Sequence, residues 1–237
     1  MDIAFWIASG KEYVLEAACS ARSLKKNMPD VFTILFSTGK LSRHGVFDKA
    51  VKLPRRRHEW WYLDSVEYIK WCVCEYLNGK AIYFDTDTYI CEPLHDVYEL
   101  LDKYDIVAAH APGRVTCGRT NGIPKAFPEV NIGVVGVNIN ERSRSLAKEW
   151  LSLYKNNPEN YGNNDQGALR HALWVNQDIK LYIFPPEYNL RWQFGGFARY
   201  PVHVLHGRAE NYEAVRKKVN WTNDLRGWGR GGLELLF

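Results

Sequence analysis

The sequence predicts an α/β protein with a mostly parallel central sheet flanked by helices, folded as a single domain. Three observations predict it. Short apolar, β-branched runs alternate with helix-like segments through the first half of the chain, the pattern of repeated strand–helix–strand units. Those runs are apolar almost continuously, as strands covered on both faces are. The 237 residues, 46% hydrophobic and 24% charged, suffice for one sizeable core.

The elements follow in order. IAFWIAS opens as a strand, a helix runs from about Val14 to Lys26, and FTILFST and KAVKL are strands. A second helix, about Leu63 to Leu77, leads into the strand AIYFD. Further strands are expected at Asp105 to Ala111, Ile132 to Asn138, Lys180 to Phe184 and Val202 to His206. Helices are expected at Arg144 to Tyr154 and Asp165 to Leu173. Pro112 to Pro128, rich in Gly, Pro and polar residues, reads as a long loop of the kind that carries function. The ending RGWGRGGLELLF is left open between a packed tail, an oligomer contact and a flap, and the oligomeric state is not legible.

Composition narrows the function classes. A formal charge of +4 is too mild for general nucleic-acid binding and suits a small anionic ligand. The apolar run at the start is too short for a leader or a spanning helix, so a cytoplasmic location is expected, with peripheral membrane association left open. Five cysteines, odd in number and without CxxC spacing, indicate neither a disulfide framework nor a zinc site.

The chemistry concentrates in GKAIYFDTDTYICEP, where Asp85 and Asp87 follow an apolar strand. Open α/β sheets gather ligands at the carboxyl ends of their strands. In an extended segment residues i and i+2 point the same way, so the two carboxylates can converge on one hard cation. Mg²⁺ or Mn²⁺ between them would remove their repulsion toward a diphosphate and neutralise charge on it as it leaves. A solvated turn is the bland alternative for two such aspartates.

With these residues in place, the chain resembles GT-A fold glycosyltransferases, particularly family eight, the glycogenin and lipopolysaccharide-galactosyltransferase group. YIKWCVCEYLNGKAIYFDTDTYI is similar to that group's Lys-bearing helix followed by a strand ending in D-x-D. The resemblance implies a UDP-sugar donor and a glycan or glycoconjugate acceptor, transferred with retention. It assigns Lys70 to the donor's phosphate or sugar, with an ordinary exposed helix lysine as the alternative. The donor would also meet Thr86, between the two aspartates. IASGKEYVLEAACSARSL resembles the family's first strand and helix, which places Ala8 and Ser9 near the nucleotide and Tyr13 against a uracil base. EVNIGVVGVN is similar to "FNsGvmlin", mapping Asn131 to a sugar contact and Gly133 to close backbone approach to the ligand. NNDQGAL matches a "DQ" helix start, so Asp165 and Gln166 would lie beside the anomeric carbon, although Asn164 or Asp165 can equally cap the helix. PPEYN followed by VHVLHGR resembles "lP..yN" and a late strand-end histidine, making His206 the third metal ligand. HGR departs from the family's "HxxGxxKPW", and Arg208, Lys217 or Lys218 would take over the diphosphate contact. The nucleotide-binding half is then about residues 1–110 and the acceptor half about 111–237.

Two other readings of the basic and aromatic residues stay open. The run Pro54-Arg55-Arg56-Arg57-His58 can meet phosphates or stay solvated, and Trp60, Trp61, Trp192 and Trp228 can face sugars or pack. Rival functions are a haloacid-dehalogenase-type phosphatase on DTDT, a nucleotidyltransferase and a non-catalytic carbohydrate-binding relative. The first lacks a later GDxxxD pair, and the second lacks a Gly-rich loop after the first strand.

Overall fold

The computed structural model describes residues 1–39, 45–54, 61–113, 122–161 and 164–229. Its centre is a seven-stranded sheet in the order β3 (Lys49–Lys52), β2 (Phe32–Ser37), β1 (Ile3–Ala8), β4 (Gly79–Phe84), β7 (Val130–Ile139), β6 (Ile106–His110), β8 (Leu181–Ile183). β5 (Thr88–Ile90), which follows β4 in the chain, lies in a smaller sheet described below. The ladders from β3 to β4 are parallel, as is β6–β8, while β7 is antiparallel to both its neighbours. One reversed strand in seven agrees with the mostly parallel expectation.

Side-chain alternation on the central strands builds two cores at once. Phe5 and Tyr83 point into one, packed by α2 (Trp61–Trp71), α4 (Glu141–Asn156) and α5 (Gln166–Val175). Trp6 and Phe84 point into the other, packed by α1 (Lys11–Asn27) and α3 (His95–Leu100). Val14, Ala17, Ala21 and Leu24 give α1 its buried stripe at helical spacing. α1 begins three residues before the expected Val14, with Gly10 at its N-cap in a positive-φ conformation. α2 continues into a π-helical turn, Cys72–Tyr76.

β1 and β4 are neighbours, yet the chain leaves β1 through α1 toward β2 and reaches β4 through α2 on the opposite face. That crevice at the carboxyl ends of β1 and β4 is a topological switch point, where open α/β sheets bind ligands. A third, smaller core lies under two two-stranded sheets, β5 with β10 (Val204–His206) and β9 (Gly196–Ala198) with β11 (Arg226–Trp228). α6 (Tyr212–Val219) packs on it through Val219. Trp228 is buried here, so Arg226–Trp228 of the ending is packed. Residues 230–237 of the ending, Arg55 to His58 of the basic run with Glu59 and Trp60, and residues 114–121 of the Pro112–Pro128 loop lie outside the described residues.

Cys19, Cys72, Cys74 and Cys91 are free thiols. Among the described residues no helix is long and apolar enough to cross a membrane.

Candidate active site and metal centre

Asp85-Thr86-Asp87 is the turn joining β4 to β5 rather than an extended segment. The carboxylates nevertheless converge, because both backbone ends of the turn are tied down. Asp85 N–H donates to the Gly133 carbonyl at 2.8 Å, and Gly207 N–H donates to the Asp87 carbonyl at 2.9 Å. A buried polar chain holds the middle: the Trp6 indole donates to Ser20 Oγ, Ser20 and Thr88 hydroxyls pair at 2.7 Å, and Thr88 donates to the Asp85 carbonyl at 2.8 Å. Such satisfied interior networks fix geometry.

His206 comes from the small sheet, where β10 runs antiparallel to β5 and His206 faces Thr88 in register. Its Nε2 lies 3.4 Å from Asp85 Oδ2 and 3.6 Å from Asp87 Oδ1. The ligand atoms of Asp85, Asp87 and His206 all lie within 4.8 Å of one another, the one such group of three or more among the described residues. Two carboxylates and one imidazole fit a hard to borderline divalent ion, Mn²⁺ in particular.

Burial alone would raise the Asp85 carboxyl; the Tyr83 hydroxyl at 2.8 Å and the Arg191 guanidinium act against it, as a His206 ring carrying both protons would, and Asp85 is held below the usual carboxylate range. Tyr83 is two residues before Asp85, near the end of β4. Asp165 is the opposite case. Burial first, then the charge of Asp85, push its carboxyl up to about 8. It is 3% exposed and makes no side-chain capping bond. Asn164 supplies that acceptor instead, its Oδ1 taking the Gln166 N–H at 2.9 Å. The capping alternative therefore belongs to Asn164, and Asp165 is left as a protonated acid near Asp85, with Gln166 beginning α5 beside it.

The other expected residues divide. Ala8 ends β1, and Ser9 Oγ pairs with Thr38 Oγ1 at 2.8 Å. Tyr13 is half exposed at the start of α1, with the Arg208 guanidinium 6.0 Å from its ring centre. Positive φ at Gly207 turns the chain after His206, and Arg208 runs back to Glu16, Nε to Oε1 at 2.6 Å. Arg208 Nη1 is 4.0 Å from Asp87 Oδ2, and Thr86 donates to Glu16 Oε2 at 2.8 Å. Tyr13, Glu16, Thr86, Asp87 and Arg208 thus share one rim of the crevice. Lys217 and Lys218 sit in the last turn of α6, exposed. Lys70 pairs with Glu75 at 3.3 Å, at the end of its own helix, rather than with this group.

Asn131 stands at the start of β7, its side chain turned into the protein: Oδ1 accepts from Gly133 N–H at 3.0 Å and from Asn189 Nδ2 at 2.9 Å. Gly133 was expected to admit the ligand to the backbone. What lies against it is the His206 ring, which any β-carbon at this position would overlap. The β6–β7 register shifts between Ala108 and Ala109, from Val135 to Asn131, so the pairing of β7 is irregular beside the site.

Sequence reasoning missed Glu16, Tyr83, Asn189 and Arg191. Glu16, three residues beyond Tyr13 on one helix face, and Tyr83, two before Asp85 on one strand, were findable from spacing. Asn189 and Arg191 reach His206 only through the fold.

No protein-family model and no curated protein matches the chain. Solved structures do. The galactosyltransferase LgtC in complex with donor and acceptor sugar analogs superposes with a TM-score of 0.60 at 16% identity, over 89% of this chain and 88% of that one. The glycosyltransferase GlyE of Streptococcus pneumoniae TIGR4 gives 0.57 at 16% identity, over 81% of this chain. The chain spans about half of GlyE's length, 47%. At this identity the likeness establishes the fold: the chain has the mixed α/β GT-A architecture of these glycosyltransferases, and it resembles family eight.

Proposed function

We propose that the chain is a metal-dependent glycosyltransferase that moves a sugar from a nucleotide-sugar, a UDP-sugar by resemblance, to a hydroxyl of a glycan or glycoconjugate, with retention. The single observation that carries the reading is the convergence of Asp85, Asp87 and His206 at the switch point of a GT-A fold. Two solved glycosyltransferases with that fold support the reaction class, one of them in complex with donor and acceptor sugar analogs.

Asp85, Asp87 and His206 would hold the cation, which when bound supplies neutralisation of the diphosphate as it departs. Tyr13 offers a half-exposed ring for a flat base. Arg208, held by Glu16 at the rim, presents a guanidinium suited to bidentate contact with phosphate oxygens. Asp165 keeps a proton near neutral pH and so donates a hydrogen bond to a donor or acceptor hydroxyl, with Gln166 beside it. On this reading residues 1–110 serve the nucleotide and 111–237 the acceptor.

The test is release of UDP from a panel of UDP-sugars, with Mn²⁺ and with EDTA. Turnover is expected with Mn²⁺ only, and Asp87→Asn is expected to lower it at least 100-fold without change in the far-UV circular dichroism, since one ligand carboxylate is lost. Undiminished turnover in that variant overturns the metal role. Hydrolysis of a simple phosphate ester, with no action on UDP-sugars, favours the phosphatase.

A further inference from the structure

We propose that Asn189 is a positioning residue that, together with Asn131, fixes the tautomer of His206 so that a bare Nε2 faces Asp85 and Asp87. The inference rests on the metal-site reading above and adds residues to it.

One donor in this chain of bonds is unambiguous. The backbone N–H of Gly133 can only donate, and it lies 3.0 Å from the Asn131 side chain, so Asn131 must present its oxygen there. That oxygen is also 2.9 Å from the Asn189 amide, so Asn189 must present its NH₂ group. The same NH₂ reaches the Asn131 carbonyl at 3.4 Å. With its nitrogen committed, Asn189 turns Oδ1 toward His206 Nδ1, 2.8 Å away. An amide oxygen only accepts, so Nδ1 carries the proton. In a neutral imidazole the other nitrogen is then a lone pair.

A second, independent contact tests the same assignment. Arg191 Nη1 lies 3.0 Å from His206 Nε2, and a guanidinium cannot accept. A proton on Nε2 would occupy the in-plane position that its lone pair otherwise fills, and would meet that N–H. A lone pair accepts it.

The relay is placed by backbone, not by chance side-chain packing. Leu190 N–H donates to the Val204 carbonyl and His206 N–H to the Leu190 carbonyl, both at 2.9 Å, which lays Asn189 alongside β10. Asn131, Asn189 and His206 are all buried, so no water competes for the chain of bonds. A metal-ligating histidine usually donates its other N–H to such a partner, and losing that partner typically weakens metal binding 10- to 100-fold.

The experiment reads the imidazole nitrogens of His206 by ¹⁵N NMR in metal-free protein at pH 8, for the wild type, Asn189→Leu and Asn189→Asp, followed by Mn²⁺ titration of each by electron paramagnetic resonance. The expected result is a wild-type ring protonated at Nδ1. Asn189→Leu should shift the proton toward Nε2 and raise the Mn²⁺ Kd about tenfold or more. Asn189→Asp keeps an acceptor at Nδ1 and is expected to retain the tautomer, with a Kd within about threefold of wild type. That variant and the wild-type spectrum decide the matter even where Asn189→Leu does not fold. A wild-type ring protonated at Nε2, or a leucine variant with unchanged tautomer and affinity, overturns the proposal. The tautomer is read without metal, nucleotide or turnover. An Nδ1-protonated wild type that binds no Mn²⁺ would therefore uphold the relay and count against the proposed function.

Discussion

Asp165 is a buried carboxyl close to the charge of Asp85, and burial with that charge pushes it up to about 8, from an unfolded value near 3.9. Between those values the folded protein binds a proton that the unfolded chain has lost. Its contribution to stability therefore falls as pH rises from about 4 to about 8. An amide cannot ionise, so Asp165→Asn should gain stability relative to wild type across that window, roughly 3–4 kcal/mol more at pH 8 than at pH 5. Urea unfolding in EDTA at the two pH values measures it, and an equal difference at both would contradict the electrostatic picture. At this scale legibility was uneven. Asp85 and Asp87 stood out because an apolar strand ran straight into them, and His206 entered by resemblance. Asn189 closed the PPEYN motif but carried no role there, because its meaning comes from Asn131, 58 positions away, and from His206, 17 positions away.

Among the elements, β7 does more for the site than its apolar pattern suggested. Its expected span, Ile132 to Asn138, was close, but periodicity carries no strand direction, and the antiparallel run beside β4 is what delivers Gly133 to Asp85 and His206. Gly133→Ala should displace the imidazole ring. The expected result is at least a tenfold loss of Mn²⁺ affinity in calorimetric titration with little change in far-UV circular dichroism, and unchanged affinity would show that the ring tolerates a methyl there. The long elements were legible: α1, α2, α4, α5 and the central strands lie within a few residues of their expected spans. The three-residue β5, the six-residue α3 and the eight-residue α6 were not, since a segment that short offers too few repeats to separate helix from strand.

Across the whole molecule, the candidate metal centre joins the central sheet to a smaller one. Asp85 projects from the central sheet, whereas His206 ends β10 in the small sheet above the third core. A ligand that engages both, with Tyr13 and Arg208 at the rim, ties these layers together and should stabilise the fold cooperatively. The pattern of the sequence placed the crevice, through strand–helix alternation ending at the switch point, but it held no record of how the second half folds back to complete it. The most direct measurement is thermal unfolding with UDP and Mn²⁺ together, against UDP in EDTA and against other nucleoside diphosphates with Mn²⁺. The account predicts that UDP with Mn²⁺ at about 100 times its Kd raises Tm by roughly 5–10 °C and that UDP in EDTA does not. An equal shift with and without the ion, or none under either condition, would contradict it.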